Sequence, residues 1–423
     1  MFKFLHTADI HLDSPLLGLE GYADAPVAQI RQATRRAFDN LVELAIVERV
    51  AFVLIAGDLF DGDWKDYNTG LFLADRLGRL RREGIRVFMA SGNHDAASQI
   101  TRSLRLPDNA RVFAADRPES ELLAELGVVI HGQGYRTRAV TDNLAQGFPA
   151  PHPYLFNIGL LHTSLTGRPG HEAYAPCSLD DLRAKGYDYW ALGHVHCREE
   201  VAREPWVVFP GNPQGRHIRE TGPKGATIVV VEEGRVAAVE ERHTDVLRWV
   251  HCQVDAGGCQ RLEELDTLVR EAFEQARAEA GGRPVAARLS IAGETELAAR
   301  LHADQAALVE NFRAIGAELG DLWLEKLILR PARPAELAGV VGPDTPLAGL
   351  LRAISETVLE AEDPAALVPE IASLKAKLPA ELLHGDDPFL ALSAQRQEEL
   401  EAEIRELLVA RLIQQAGQAG GEP

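Results

Sequence analysis

Five short polar segments, each placed directly after a run of apolar residues, constrain this chain more than any other feature. Asp9-Ile10-His11 follows the run 2–8, and Gly57-Asp58-Leu59-Phe60-Asp61 follows 51–56. Gly92-Asn93-His94-Asp95 follows 85–91, His162 follows 156–161, and Gly193-His194-Val195-His196 follows 187–192. Short unbroken apolar runs bounded by Gly and Asp read as strands buried on both faces. Between the first two runs, residues 29–49 place Ala33, Ala37, Leu41, Leu44 and Ala45 on one helical face. Strands alternating with amphipathic helices predict sheet layers covered by helices, an α/β fold over 1–243. Loops at strand ends are where such folds build sites.

In an extended D-x-H or H-x-H segment, residues i and i+2 project to one side. Asp9 with His11, and His194 with His196, are therefore expected to form two arms that reach one metal centre. Asp9, His11, Asp58, Asn93, His162, His194 and His196 together offer two carboxylates, one amide oxygen and four imidazoles. That mixed set suits Mn²⁺, Fe²⁺ or Zn²⁺ better than Ca²⁺. Seven ligands exceed one tetrahedral site; they fit two divalent ions about 3.5–4 Å apart, bridged by a carboxylate and a solvent oxygen, a geometry that cleaves phosphate esters. Gly57, Gly92 and Gly193 are expected to permit the tight turns that aim the ligands inward. One D-x-H, or one His after an apolar run, is more often a core feature. The joint occurrence carries the reading.

Farther along, the runs 206–209 and 227–231 read as strands, and Glu232 to Arg235 as a turn into 236–240 predicts an antiparallel hairpin. A second unit over 244–335 reads as strand 247–254, helix 262–279, strand 285–291, helices through 316 and strand 323–329, a small α+β domain. After Pro331, Pro334, Pro343 and Pro346, residues 341–423 are predicted helical, with Leu and Ala at i, i+3, i+4 spacing. A cap on the preceding domain and a docking surface for a partner helix fit that pattern equally.

The chain has 63 acidic and 44 basic residues, a net charge of −19, which excludes a general cationic surface for nucleic acid or anionic lipid. Residues 341–423 alone hold 15 Asp/Glu against 6 Lys/Arg, the wrong sign for DNA. Arg31, Arg35 and Arg36, and Arg76, Arg79, Arg81 and Arg82, read as solvated helix faces more readily than as phosphate contacts. The loop 211–217 either touches phosphate through Arg216 or His217 or is a plain turn. Ser178-Leu179-Asp180-Asp181 is a capping-box pattern. The four cysteines form no C-x-x-C pair, so reduced, buried thiols are expected. The first apolar stretch is broken by His6 and Asp9, too short for a secretion signal, and no run of 18 apolar residues occurs. A cytoplasmic protein without a membrane partner is expected.

HTADIHL, AGDLFD and GNHD, then His162 and GHVH in that order, resemble the calcineurin-like metallophosphoesterase superfamily, and in particular its SbcD-type DNA repair exonucleases. HTSLTGRPGHEAYAPCSLDDLRAKGYDYWALGHVH, followed by PGNPQGRHIRETGPKG, is similar to the YhaO-type branch. The resemblance implies a four-layer α/β/β/α sandwich over 1–243, with two divalent metal ions, Mn²⁺ foremost, at one edge of the sheets. It implies a capping, DNA-binding domain at 244–335, and at 341–423 a helical segment that docks on an SbcC-like coiled-coil ATPase. Asp9, His11, Asp58 and His196 would hold the first ion; Asp58, Asn93, His162 and His194 the second, with Asp58 as the bridge. Water activated by the ions would supply hydroxide near neutral pH. His94 would stabilise or protonate the leaving oxygen, and Asp61 would orient His94 and raise its pKa. Some nuclease relatives carry His where this chain has Asp61. The implied activity is a DNA exonuclease, with endonuclease activity as a further expectation. A phosphatase or cyclic-nucleotide phosphodiesterase, and a subunit that tethers DNA ends or the ATPase, are the alternatives; a homodimer is left open.

Overall fold

In the computed structural model, the described residues are 1–14, 32–61, 67–97, 105–166, 174–332, 349–350, 353–354, 404 and 408. They fall in two compact units, Met1–Val250 with Ala280–Ala286, and His251–Glu279 with the chain from Ala287 onward. The segment 341–423 lies outside the described residues, apart from six that are helical.

The first unit contains strands β1 (Phe2–Thr7), β2 (Phe52–Ala56), β3 (Arg86–Ala90), β4 (Ala110–Val112), β5 (Glu119–Leu123), β6 (Val128–Gln133), β7 (Phe156–His162), β8 (Tyr189–Gly193), β9 (Glu199–Arg203), β10 (Trp206–Phe209), β11 (Gly225–Glu232) and β12 (Arg235–His243). They form two six-stranded sheets, ordered β12-β11-β1-β2-β3-β4 and β5-β6-β7-β8-β10-β9. Helices α1 (Ala33–Val47) and α2 (Tyr67–Arg82) cover the first sheet, while the short α3 (Asn93–Ala97) opens at the third polar segment and α4 (Leu179–Ala184) covers the second sheet.

The strand pleat decides which residues face which layer. Leu5, Val53, Ile55, Val87 and Met89 meet Phe38, Leu41, Leu73 and Leu77 of the helices. The alternate residues Phe4, Phe52, Leu54 and Phe88 meet Val128, Ile130, Phe156, Ile158 and Tyr189 of the second sheet. That sheet's outer face, with Leu161, Trp190, Leu192 and Phe209, packs on Phe148 and Leu182. The result is the expected four-layer α/β/β/α sandwich. Each such large apolar side chain contributes roughly 1.5–3 kcal/mol on burial, so the sandwich fixes the strand ends from which the loops depart.

Strands β4, β5, β6 and β9 have no counterpart in the sequence reading. The apolar part of β6 is only Val128-Val129-Ile130, and His131 follows in a fully buried position. That histidine is tolerated because its ring nitrogens meet Ser120 Oγ at 2.7 Å and Asn157 Oδ1 at 3.2 Å. The β11–β12 hairpin turns on Glu233 (φ 49°) and Gly234 (φ 72°), the left-handed pair of a two-residue loop. Ser178 and Asp181 make both halves of a capping box.

Two surface expectations resolve on contacts. Arg35 pairs with Asp13, Arg76 with Asp39 and Asp75, Arg79 with Glu43, and Arg81 with Asp108, so these arginines serve acidic neighbours. Cys177, Cys252 and Cys259 are buried, but Cys197 is exposed, contrary to expectation; it lies in the loop beyond the end of β8, outside the sheet layers.

The second unit's sheet has the order β13 (Arg248–Asp255), β14 (Val285–Glu294), β15 (Leu322–Ala332). Helix α5 (Leu262–Ala280) buries Leu265, Val269, Phe273 and Ala276, one face at three- and four-residue spacing. Helices α6 (Ala298–Ala303) and α7 (Gln305–Leu319) follow, and α7 packs along β15. Among the described residues no helix is long and apolar enough to cross a membrane.

One buried group in β1 carries a pH prediction. His6 is wholly enclosed, with Nδ1 3.0 Å from Tyr189 Oη and Nε2 3.1 Å from the Leu192 carbonyl. Burial pushes its pKa down from 6.5 to about 3. The unfolded chain therefore takes up this proton first, so the ring's contribution is complete above pH 6.5 and is lost as pH falls towards 3. Urea unfolding midpoints are expected to drop from pH 7 to pH 4. In a His6→Gln variant the drop should be shallower by up to one proton, about 1.4 kcal/mol per pH unit. Parallel curves for the two proteins would refute this.

Candidate metal centre

Strands β1, β2 and β3 pair in parallel, as do β7 and β8, so their C-terminal ends open at a common edge within each sheet. The first two polar loops are zipped together, Asp9 N–H donating to the Gly57 carbonyl (3.0 Å), His11 N–H to Asp58 (3.0 Å) and Leu12 N–H to Leu59 (2.9 Å). The chain there is not extended. Asp9 (φ 52°), His11 (φ 46°), Asp58 (φ 51°) and His194 (φ 103°) all take positive φ. The expected i, i+2 arms are thus replaced by bends at the donor residues themselves. Such backbone costs on the order of 1–3 kcal/mol per residue and persists only where the surroundings enforce it.

The glycines act differently from the expectation as well. Gly57 alone of the three is left-handed (φ 94°). A side chain on Gly193 would come within 1.9 Å of the Ala56 carbonyl oxygen, and one on Gly92 within 2.2 Å of Asp58 Oδ1. Both are required by close approach of the loops, not by a turn.

The loops bring together the seven candidate metal ligands, with His94 and Asp61 beside them. Donor atoms of Asp9, His11 and His196 lie within 4.8 Å of one another, and so do those of Asp58, His162 and His194, and those of His11, Asp61 and His94. Asn93 Oδ1 is 2.9 Å from His162 Nε2, which is 3.4 Å from Asp58 Oδ2. Asp9 accepts the His194 N–H on both oxygens at 3.0 Å, and Asp58 Oδ1 accepts the His94 N–H at 2.9 Å.

The electrostatics suit a cation. Burial pushes the Asp9 carboxyl up to about 8. Burial also works against the Asp58 carboxylate, but the His162 ring prevails and holds it well below the usual range. Burial likewise opposes charge on His162, yet Asp58 and Asp9 lift it to about 9. His11 and His196 are driven down by burial to about 4 and about 3, so both rings are neutral and present lone pairs. Their Nε2 atoms face each other at 3.4 Å. His11 Nδ1 is buried without a hydrogen bond, since Asp61 Oδ1 at 3.6 Å is out of reach. Clustered buried carboxyl groups, the neutral imidazoles of His11 and His196 and an amide oxygen are a donor set that divalent cations satisfy. The residues fit that group.

Partners behind the rings strengthen the fit. His162 Nδ1 lies 2.9 Å from the Ala56 carbonyl oxygen, and His196 Nδ1 lies 2.7 Å from Glu220 Oε1. An acceptor behind a ligating His fixes its tautomer and orientation. Sequence reasoning gave Glu220 no role. It sits in a polar stretch with no apolar run before it, and only its four-residue spacing from Arg216 hinted at a pair. Asp95, seen only as part of its segment, accepts the N–H groups of Leu59 (2.9 Å), Phe60 (3.0 Å) and Gly92 (3.0 Å), tying the second loop to the third. The loop carrying Arg216 is more than a turn, because Arg216 pairs with Glu220 at 3.1 Å beside His196.

Comparison with known proteins agrees with this architecture. Residues 2–198 match the family described as calcineurin-like phosphoesterase, and residues 249–331 match the middle domain of metallophosphoesterase YhaO. The chain is 37% identical over 294 residues to the uncharacterized metallophosphoesterase YhaO of Bacillus subtilis, covering 69% of this chain and 71% of that protein. It is 27% identical over 299 residues to the DNA double-strand break repair protein Mre11 of Methanopyrus kandleri, covering 63% and 62%. It is 25% identical over 288 residues to SbcD, a component of the nuclease SbcCD of Escherichia coli K12, covering 58% and 68%. A sandwich with His and Asp clusters at its sheet ends, matched along both units, leads to one assignment: the chain belongs to the calcineurin-like metallophosphoesterases, divalent-metal hydrolases, and carries the YhaO middle domain.

Proposed function

We propose that the protein is a DNA phosphodiesterase, an exonuclease that works with two divalent ions, Mn²⁺ foremost. The observation that carries this is the convergence of the seven donors, Asp9, His11 and His196 in one group, Asp58, His162 and His194 in another with Asn93 beside His162, and His94 next to Asp58. Asp9, His11, Asp58 and His196 would hold one ion; Asp58, Asn93, His162 and His194 would hold the other. When bound, such ions polarise phosphoryl oxygens and bring the pKa of water towards about 7.

The protein's own contribution is position and a proton. His94 Nδ1 lies 3.1 Å from Asp61 Oδ1, and Asp61 also accepts the Ser14 hydroxyl at 2.8 Å. Burial opposes charge on His94, but Asp61 and Asp58 outweigh it and raise the pKa. The raised pKa favours the protonated ring, and Nε2, the nitrogen turned from Asp61, is the one that would serve the leaving oxygen. Asp61 in turn is held far below the usual carboxylate range by His11 and His94 despite burial, so it stays an acceptor.

The Mre11 and SbcD likenesses support DNA as substrate, and two dications would offset a net charge of −19 locally. The unit 244–335 is read as the capping, DNA-binding domain. The segment 341–423 is read as the docking site for an SbcC-like coiled-coil ATPase in the cytoplasm. The test is direct: purified full-length protein with Mn²⁺ degrades linear DNA. Hydrolysis confined to p-nitrophenyl phosphate or cyclic dinucleotides would replace this reading with a phosphatase or cyclic-nucleotide phosphodiesterase.

A companion prediction concerns Glu220. Removing the acceptor behind a ligating His typically lowers metal affinity about 10–100-fold. Glu220→Gln is expected to weaken Mn²⁺ binding by that factor in calorimetry. An unchanged affinity would reduce Glu220 to a loop staple.

A further inference from the structure

Arg216 stands in the loop after β10, held by one carboxylate. Its backbone N–H donates to Glu220 Oε2 at 2.7 Å and its Nη2 to Oε1 at 3.1 Å. His196 Nδ1 reaches the same Oε1 at 2.7 Å, so imidazole and guanidinium are two donors aimed at one oxygen, which explains their 3.2 Å separation. Asn212 Nδ2 takes Oε2 at 2.8 Å. With these donors the buried Glu220 is fully engaged.

The guanidinium is not. Nη2 has committed one of its two hydrogens, Nε is buried without a partner, and Nη1 has no hydrogen bond among the described residues. The side chain is only 13% exposed. An arginine presents five N–H donors in a rigid fork, and leaving them unmatched in a desolvated place is costly. Its charge bears on the cleft, depressing both His11 and Asp61. Lys224, the neighbouring cation, is committed to the His196 carbonyl at 2.8 Å.

We propose that Arg216 is a phosphate-binding residue of the cleft. Its end-on edge, Nη1 with the remaining hydrogen of Nη2, takes non-bridging oxygens of the phosphodiester, or of the phosphate that hydrolysis releases. The pair with Glu220 fixes the guanidinium next to His196 and leaves that edge without a hydrogen bond from Nη1 among the described residues. A fork held in this way matches phosphate bidentately, which a lysine cannot do. This inference rests on reading the cleft as a two-cation phosphoester site.

The test uses the full chain with Mn²⁺ and three measurements: turnover of bis(p-nitrophenyl) phosphate, inhibition by inorganic phosphate, and Mn²⁺ affinity by calorimetry. In Arg216→Gln and Arg216→Lys, KM and the phosphate inhibition constant are expected to rise about tenfold or more, the scale of a lost charge-assisted hydrogen bond. Mn²⁺ affinity should stay within about twofold, because Glu220 still holds His196. Should Arg216→Gln fail to fold, Arg216→Lys, which keeps a cation for Glu220, carries the test. Unchanged KM and phosphate inhibition overturn the proposal. So does a rise that only tracks lost Mn²⁺ affinity, which would make Arg216 a support of His196. A wild-type protein that neither binds Mn²⁺ nor cleaves the diester would sink the site reading itself.

Discussion

Asp58→Asn is expected to abolish phosphodiester hydrolysis while leaving the sandwich folded. The carboxylate belongs to the donor group with His162 and His194, near His162 on one oxygen and bound to the His94 N–H on the other, and as the proposed bridge it would serve both ions. An amide in its place keeps the shape but removes the negative charge that would offset the two dications. Metal-ion catalysis supplies several kcal/mol, so the loss should be about 10³-fold or more in kcat/KM. Calorimetry should find weakened binding of both Mn²⁺ ions, not one. The substitution also leaves the His162 imidazolium without its main counter-charge, so its pKa should fall from about 9 towards the ordinary histidine range. NMR titration of the metal-free protein reads that shift independently of activity. Hydrolysis within tenfold of wild type would rule out Asp58 as a bridge.

The second large effect separates His94 from the metal ligands. His94→Gln should bind Mn²⁺ normally yet lose about 10²–10⁴-fold on DNA, the range for a missing general acid. On bis(p-nitrophenyl) phosphate, whose leaving group needs no proton, the deficit should be far smaller. The pH profile supplies a sign. The working form of His94 is protonated, so kcat/KM falls as pH rises through its raised pKa. Asp61→Asn removes a main cause of that elevation, and the alkaline limb should move to lower pH. Equal losses on both substrates, or an alkaline limb that stays in place, would show that His94 does not deliver a proton.

How far the sequence carried these inferences depended on what each residue answers to. Strand-end residues such as Asp9, Asn93 and His194 were legible because an apolar run marks the strand and the next polar group must lie at its end. The second sheet was half legible, since β6 has only three apolar residues and owes its place to pairing with β7. Glu220 was not legible, because its role is set by a neighbour across a loop and not by its own periodicity. The conformation of the D-x-H segment was misread for a related reason. The hydrogen bonds that bend it come from Gly57 and Asp58, far along the chain.

The left-handed backbone at Asp9, His11, Asp58 and His194 bears on metal loading. Torsional strain is borne while the polypeptide folds, and neighbouring loops already lock the amides of Asp9, His11 and His194. A divalent ion would then meet a backbone that is already set, so metal loading is expected to call for side-chain deprotonation and little change in the loops.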